Sequence, residues 1–288
     1  MPLLFVITLL WAFSFSLIGV YLSGQVDAWF SVLSRILLAT LVFLPFLKPR
    51  LLVSKDIALL MGAGAIQLGL MYSFYYHSFL FLSVPEVLLF TVMTPIYVTL
   101  VNDLLDKQFH PRFLLAAAVA TLGAIAIRYD GINENFVTGL LLVQGANLCF
   151  ATGQVLYKRQ FSQRNIPQHS VFGWFFVGAS MVAIICYALF GNPERLPQTT
   201  TQWGVLVYLG VIASGLGYFG WNKGATQVDV GTLAVMNNLL IPAGIVVNVL
   251  IWNRDADLLR LALGGGIILL ALAFNSPNLG KTRIADNP

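Results

Sequence analysis

Two stretches decide the fold. Ser83–Leu100 reads SVPEVLLFTVMTPIYVTL, and Val228–Val247 reads VDVGTLAVMNNLLIPAGIVV. Each is close to the length of about 20 residues that a helix needs to cross a bilayer. Each begins after a polar or small cluster and carries one proline near its middle, Pro95 or Pro242. Proline lacks an N–H, so it bends a helix and frees a carbonyl. At membrane depth a freed carbonyl is tolerated only beside protein or a water-filled cavity. The same device in two segments marks an internal repeat and makes Pro95 and Pro242 candidates for gating.

Outward from these two stretches the chain continues in the same style. Of its 288 residues 58% are hydrophobic and 10% charged, with a mean hydropathy of +0.82. A soluble domain carries about 25% charged residues, so this chain cannot coat itself against water and belongs in a membrane. Ten apolar runs are predicted as helices, near 2–21, 29–47, 57–76, 84–103, 112–128, 136–157, 170–190, 203–222, 229–251 and 258–275. They are continuous rather than alternating, which predicts helices and not a barrel. Most linkers are short and leave no room for a soluble domain. The first run lacks a basic flank and a convincing cleavage site, so it reads as a retained span.

Lys and Arg orient the spans. With the N-terminus inside, the inner segments hold Lys48, Arg50, Lys55, Lys107, Arg112, Lys158, Arg159, Arg164, Lys223, Lys281 and Arg283. The outer segments hold only Arg128, Arg195, Arg254 and Arg260. Both termini are therefore expected in the cytoplasm. LLWAFSFS in the first run pairs weakly with NLCFATGQ in the sixth. Five spans repeated once place the second half upside down: residues 1–131 form the first five-helix repeat, 132–276 the inverted second, and 277–288 a cytoplasmic tail. Inverted repeats are the architecture of secondary transporters, with the site at the midplane between the halves.

These features resemble the drug/metabolite transporter superfamily in its ten-helix, EamA-type form. The residues that carry the likeness are Trp11 with Ala12, Arg35 in SVLSRILLA, and the mid-helix prolines. The runs GYFGWNKGATQVDVGTLAVMNN, Gly217–Asn238, and LLLVQGANLCFATGQ, from Leu140, are similar to the carboxylate/amino acid/amine branch, and within it to bacterial biotin uptake transporters. The resemblance implies a multi-pass protein of the bacterial inner membrane that works by alternating access without ATP and takes biotin or a similar carboxylate. Glu86 departs from the small residue common at its place, and many members of the superfamily export. The runner-up is thus export of amino acids or aromatic metabolites.

Polar residues at membrane depth are the candidate site. A charge in a span costs at least about 2.5–3.5 kcal/mol on insertion scales. Arg35 lies about 9 Å below the outer interface at 1.5 Å per residue, in the same leaflet as Glu86. It is read either as the partner of a substrate carboxylate, which a guanidinium grips bidentately, or as a structural ion pair with Glu86. Glu86 alternatively carries a coupling proton. Gln67, Gln144, Asn147, Asn237 and Asn238 put amides near the midplane, where each can donate and accept at once and so suit a ureido or amide group. Bonds between helices are the competing use of each. Trp11 sits mid-span and is read as a cavity wall. Trp221 near the end of the eighth run is a gate candidate, while Tyr75 and Tyr76 read as interfacial anchors.

Other chemistry finds little footing. His77, His110 and His169 lie in loops or at span ends without metal-ligand spacing, so neither a metal nor an intramembrane hydrolase is indicated. No GxxxxGK[ST] phosphate loop occurs, no cofactor is called for, and no basic block suggests nucleic acid. Cys149 and Cys186 sit inside apolar runs and make no disulfide framework. A channel would need a charged ring or carbonyl filter, and neither is visible.

Overall fold

The structure is a computed structural model and describes residues 2–107, 134–228 and 230–252, with isolated positions 119, 122, 259, 262, 263 and 266. Its described residues are helical, and seven helices among them are long and apolar enough to cross a membrane. They are α1 (Pro2–Leu22), α2 (Ala28–Phe46), α3 (Ser54–Ser78), α4 (Val84–Leu105), α5 (Glu134–Phe161), α6 (Gly173–Phe190) and α7 (Thr200–Ala225). An eighth helix, α8, spans Val230–Trp252. These eight match eight of the ten predicted runs to within a few residues. The fifth and tenth, 112–128 and 258–275, fall almost wholly outside the described residues.

The outer faces are as apolar as the core. Phe5, Val6, Leu9 and Phe13 on α1, and Met181, Ile184, Ile185 and Leu189 on α6, are exposed. Water would not tolerate such stripes, and lipid does. The interior is aromatic: Phe43 of α2 packs on Phe172, Phe176 and Phe219 with centroids 5.6, 5.3 and 5.1 Å apart.

The helices pack in a pattern that survives exchanging α1–α4 for α5–α8. α1 lies on α8, and α5 on α4; α2 lies on α7, and α6 on α3; α3 lies on α5, and α7 on α1. α3 and α7 also share a distortion, a π-helical middle at Ala65–Leu70 and at Tyr208–Leu216. π-Turns shift the backbone bonds and often mark functional segments. α4 is distorted differently, by a tighter 3-10 turn at Thr91–Met93 just before Pro95.

Both ends of the bundle are tied. At one end Arg164 grips Asp56 through Nη1 at 2.6 Å and Nη2 at 2.9 Å, and Arg159 meets Asp106 at 2.7 Å. At the other end Gln202 Nε2 donates to the Tyr21 carbonyl at 3.3 Å and to Gln25 Oε1 at 3.2 Å, while Asp27 N–H donates to the Arg195 carbonyl at 2.7 Å.

Candidate functional site

Between these tied ends lies a cavity at mid-depth, with about 690 Å³ free of protein atoms, its mouth included. Six helices line it. Trp11, Ser14, Phe15 and Ile18 come from α1 at helical spacing, Tyr72 and Tyr75 from α3, and Thr91 and Thr94 from α4. Asn147 and Phe150 come from α5, Tyr218 and Trp221 from α7, and Asn237 from α8. Among the described residues none that lines it carries a charge.

An aromatic box forms one side. The Trp11 ring lies 5.1 Å from Trp221 at 33°, 5.0 Å from Tyr218 and 6.1 Å from the edge of Phe150. The two indoles are fixed by their N–H groups. Trp11 Nε1 donates to the Ala213 carbonyl inside the π-turn of α7 at 2.8 Å. A Cβ on Gly217 would sit 2.7 Å from that nitrogen, so glycine is what lets the indole reach α7. Trp221 Nε1 donates to Gln154 Oε1 at 2.6 Å.

The polar side follows from Pro95. The missing N–H leaves the Thr91 carbonyl without its helical partner, and the Thr94 hydroxyl donates there at 2.7 Å. Thr94 N–H itself turns to Thr91 in the 3-10 bend, so the Phe90 carbonyl at the start of that bend has room for a side-chain donor. Asn147 Nδ2 donates to that carbonyl at 2.9 Å and to Gln144 Oε1 at 3.1 Å, while Asn147 Oδ1 accepts from Thr94 at 3.2 Å. Asn147 thus joins α5 to the broken turn of α4. Asn237 Nδ2 donates to the Leu233 carbonyl of its own helix at 2.9 Å. Two lining oxygens, Ser14 Oγ and Tyr75 Oη, are buried without a partner. Buried polar atoms are normally satisfied, so these two are open to a ligand.

Arg35 lies behind the wall. It is 2% exposed, with its guanidinium 3.9 Å above the Tyr72 ring. Nε donates to Ser214 Oγ at 2.9 Å, Nη1 to Tyr76 Oη at 3.0 Å and Nη2 to the Leu209 carbonyl at 3.5 Å. A Cβ on Gly210 would come 3.1 Å from Arg35 Cα, so glycine sets the close approach of α7 to α2.

Several expectations need correcting. Arg35 does not line the cavity; it takes its partners from α3 and α7 rather than from Glu86. Glu86 accepts from the N–H and hydroxyl of Ser83 at 2.8 and 2.7 Å and caps its own helix. Gln67 does not line the cavity either: it is fully buried, set where a Cβ on Gly153 would strike it, with both amide atoms lacking a partner. Gln144 stands one shell back, behind Asn147. Tyr75 and Tyr76 are not interfacial anchors, being 7% and 3% exposed and turned inward. Trp11, Asn147 and Asn237 do line the cavity, and so does Trp221. Pro95 is buried beside it. Pro242 lies within α8, which continues past it as helix, and the side chains of Pro242 and Asn238 fall outside the described set. Sequence reasoning missed Ser14, Thr94, Phe150 and Tyr218 as site residues. Ser14 stands three after Trp11, Phe150 three after Asn147, and Tyr218 three before Trp221, so helical spacing from the chosen residues was the available signal.

Comparison with known proteins agrees with this architecture. Residues 137–276 match the EamA-like transporter family. A probable biotin transporter of Pseudomonas aeruginosa is 54% identical over 286 residues, 99% of each chain. A biotin transporter of Escherichia coli (strain K12) is 51% identical over 273 residues, 94% of this chain and 91% of that one. A crystal structure of another protein superposes with a TM-score of 0.65 at 17% identity, over 96% of this chain and 95% of the other, which shows a shared fold and no more.

Proposed function

The chain belongs to the EamA-like transporter family, and on that premise we propose that it takes up biotin across the bacterial inner membrane by alternating access. The observation that carries the substrate is the 54% identity to a probable biotin transporter along 99% of both chains. The cavity suits that solute. Its aromatic box takes the flat face of a fused bicycle, and Asn147, Asn237, Ser14 and Tyr75 offer donors and acceptors to a ureido group.

The carrier is read as ten spans in two inverted halves, 1–131 and 132–276, with a tail at 277–288 and both termini in the cytoplasm. The exchangeable packing of α1–α4 and α5–α8 supports the repeat, as do the paired π-turns of α3 and α7. The Lys and Arg bias supports the orientation. Trp221, Pro95 and Pro242 are the gate candidates, and Glu86 is the candidate for a coupling proton. Biotin's negative charge enters against the inside-negative potential, so coupling or metabolic trapping completes uptake.

The test is uptake of labelled biotin at nanomolar concentration by cells that lack biotin synthesis and other biotin carriers. Saturable uptake, abolished by excess unlabelled biotin, is the expected result. No uptake with the protein present in the membrane overturns the substrate, and an export screen of amino acids and aromatic metabolites follows.

A further inference from the structure

The cavity has a charge problem that its lining does not solve. Biotin carries a carboxylate, and every described lining residue is neutral. Arg35 is the cation beside the cavity, but its guanidinium faces Ser214, Tyr76 and the Leu209 carbonyl instead. Among the described residues those partners are hydroxyls, a carbonyl and rings, and none is anionic. A buried cation without a counter-ion is costly, and the arrangement passes its influence toward the cavity.

The hydrogen bonds fix the direction. Arg35 Nε can only donate, so Ser214 Oγ accepts from it. Ser214 Oγ and Tyr72 Oη share one bond at 3.0 Å. Two hydroxyl protons are available for that single bond, so one is left over. If Tyr72 donated, the spare proton would be that of Ser214, which is fully buried. If Ser214 donates, the spare proton belongs to Tyr72, which lines the cavity. Both hydroxyls are buried, but Tyr72 has Tyr218 as a further neighbour to donate to, so the spare proton costs less on Tyr72. The chain therefore runs from Arg35 to Ser214 to Tyr72 and ends in the Tyr72 O–H, beside Tyr218 in the cavity lining. The guanidinium 3.9 Å over the same ring polarises that donor further.

We propose that Tyr72 Oη receives the substrate carboxylate, and that Arg35 acts as a positioning residue that charges this hydroxyl through Ser214. The proposal rests on the biotin reading above and names the residue that distinguishes an acid from its neutral analogue. Tyr72 is a substrate-binding residue in this scheme; Ser214 and Arg35 act through it.

The experiment uses the full chain in proteoliposomes. Labelled-biotin uptake is competed with unlabelled biotin and with biotin's neutral primary amide, in the unaltered protein, in Tyr72→Phe and in Ser214→Ala. In the unaltered protein biotin competes better than the amide. Tyr72→Phe keeps the ring and removes the donor. It weakens biotin by about tenfold to a hundredfold, the scale of a hydrogen bond to a charged group, through KM with little change in maximal rate. The amide loses far less, because only its carbonyl accepts. Ser214→Ala keeps the Tyr72 hydroxyl but cuts it from Arg35, and loses part of the same discrimination. Parallel weakening of acid and amide in Tyr72→Phe overturns the proposal, as does unchanged biotin affinity in both variants. Absence of biotin uptake by the unaltered protein is a different failure: it removes the substrate assignment first and this inference with it.

Discussion

Asn147 Nδ2 donates to the backbone carbonyl of Phe90 at 2.9 Å, across the contact between α5 and the 3-10 turn of α4. One amide thereby braces the 3-10 turn that precedes Pro95 and lines the cavity at the same time. Asn147→Ala removes the side-chain donor to the Phe90 carbonyl and to Gln144 Oε1, and is expected to destabilise by about 1–3 kcal/mol. Thermal unfolding in detergent checks this, and uptake should fall in the same variant. Unchanged stability would mean that water replaces the amide.

Thr94 and Pro95 are coupled through one carbonyl. Thr94→Val removes the hydroxyl bond to Thr91, worth about 1 kcal/mol. Pro95→Ala restores a backbone donor to that same carbonyl, so Thr94→Val should cost much less in its background. A double-mutant cycle on thermal stability reads the coupling, and strict additivity refutes it.

Ser14 and Tyr75 should separate stability from binding. Their oxygens are buried without a hydrogen-bond partner. Removing an unsatisfied polar atom is close to neutral or stabilising, so Ser14→Ala and Tyr75→Phe should match or exceed the parent protein in unfolding temperature. Their KM for biotin should nonetheless rise by about five- to tenfold, the worth of about 1 kcal/mol or slightly more. A loss of stability without a KM effect would show that these oxygens serve packing.

Trp11 is held by its indole N–H as well as by its rings. Trp11→Phe orphans the Ala213 carbonyl and narrows the stack on Trp221, whose centroid is 5.1 Å away. A weaker biotin KM should appear together with a stability loss of about 1–3 kcal/mol. Retained affinity in this variant would move the bicyclic ring elsewhere in the cavity.

The tie between Arg164 and Asp56 lies at the bundle's edge, with the two side chains 38% and 15% exposed. Asp56 holds the Arg164 guanidinium above its usual pKa, chiefly through their hydrogen bond. Solvent and salt screen such a pair, so Arg164→Ala should cost no more than about 1 kcal/mol. Added salt should shrink that difference, as unfolding at low and high ionic strength will read.

The sequence by itself determined that the chain is a bundle of membrane-crossing helices and where most of them begin and end. The reason is local: about 20 apolar residues in a row have one solution in a bilayer. It also determined that Pro95 distorts its helix and that Trp11 and Asn147 are out of place facing lipid at mid-depth. Only the tertiary structure decided which polar groups face the cavity. Arg35 and Gln67 look as functional in one dimension as Asn147 does, yet the helix faces that carry them turn to α7 and to Gly153. Tyr72 and Ser214 carry no signal alone; their meaning arises from a contact between residues 142 apart in sequence. Helix boundaries follow from hydropathy along the chain, whereas rotation about each helix axis is set by how small residues such as Gly210 and Gly217 let neighbours approach. That rotation exists only once the helices have packed.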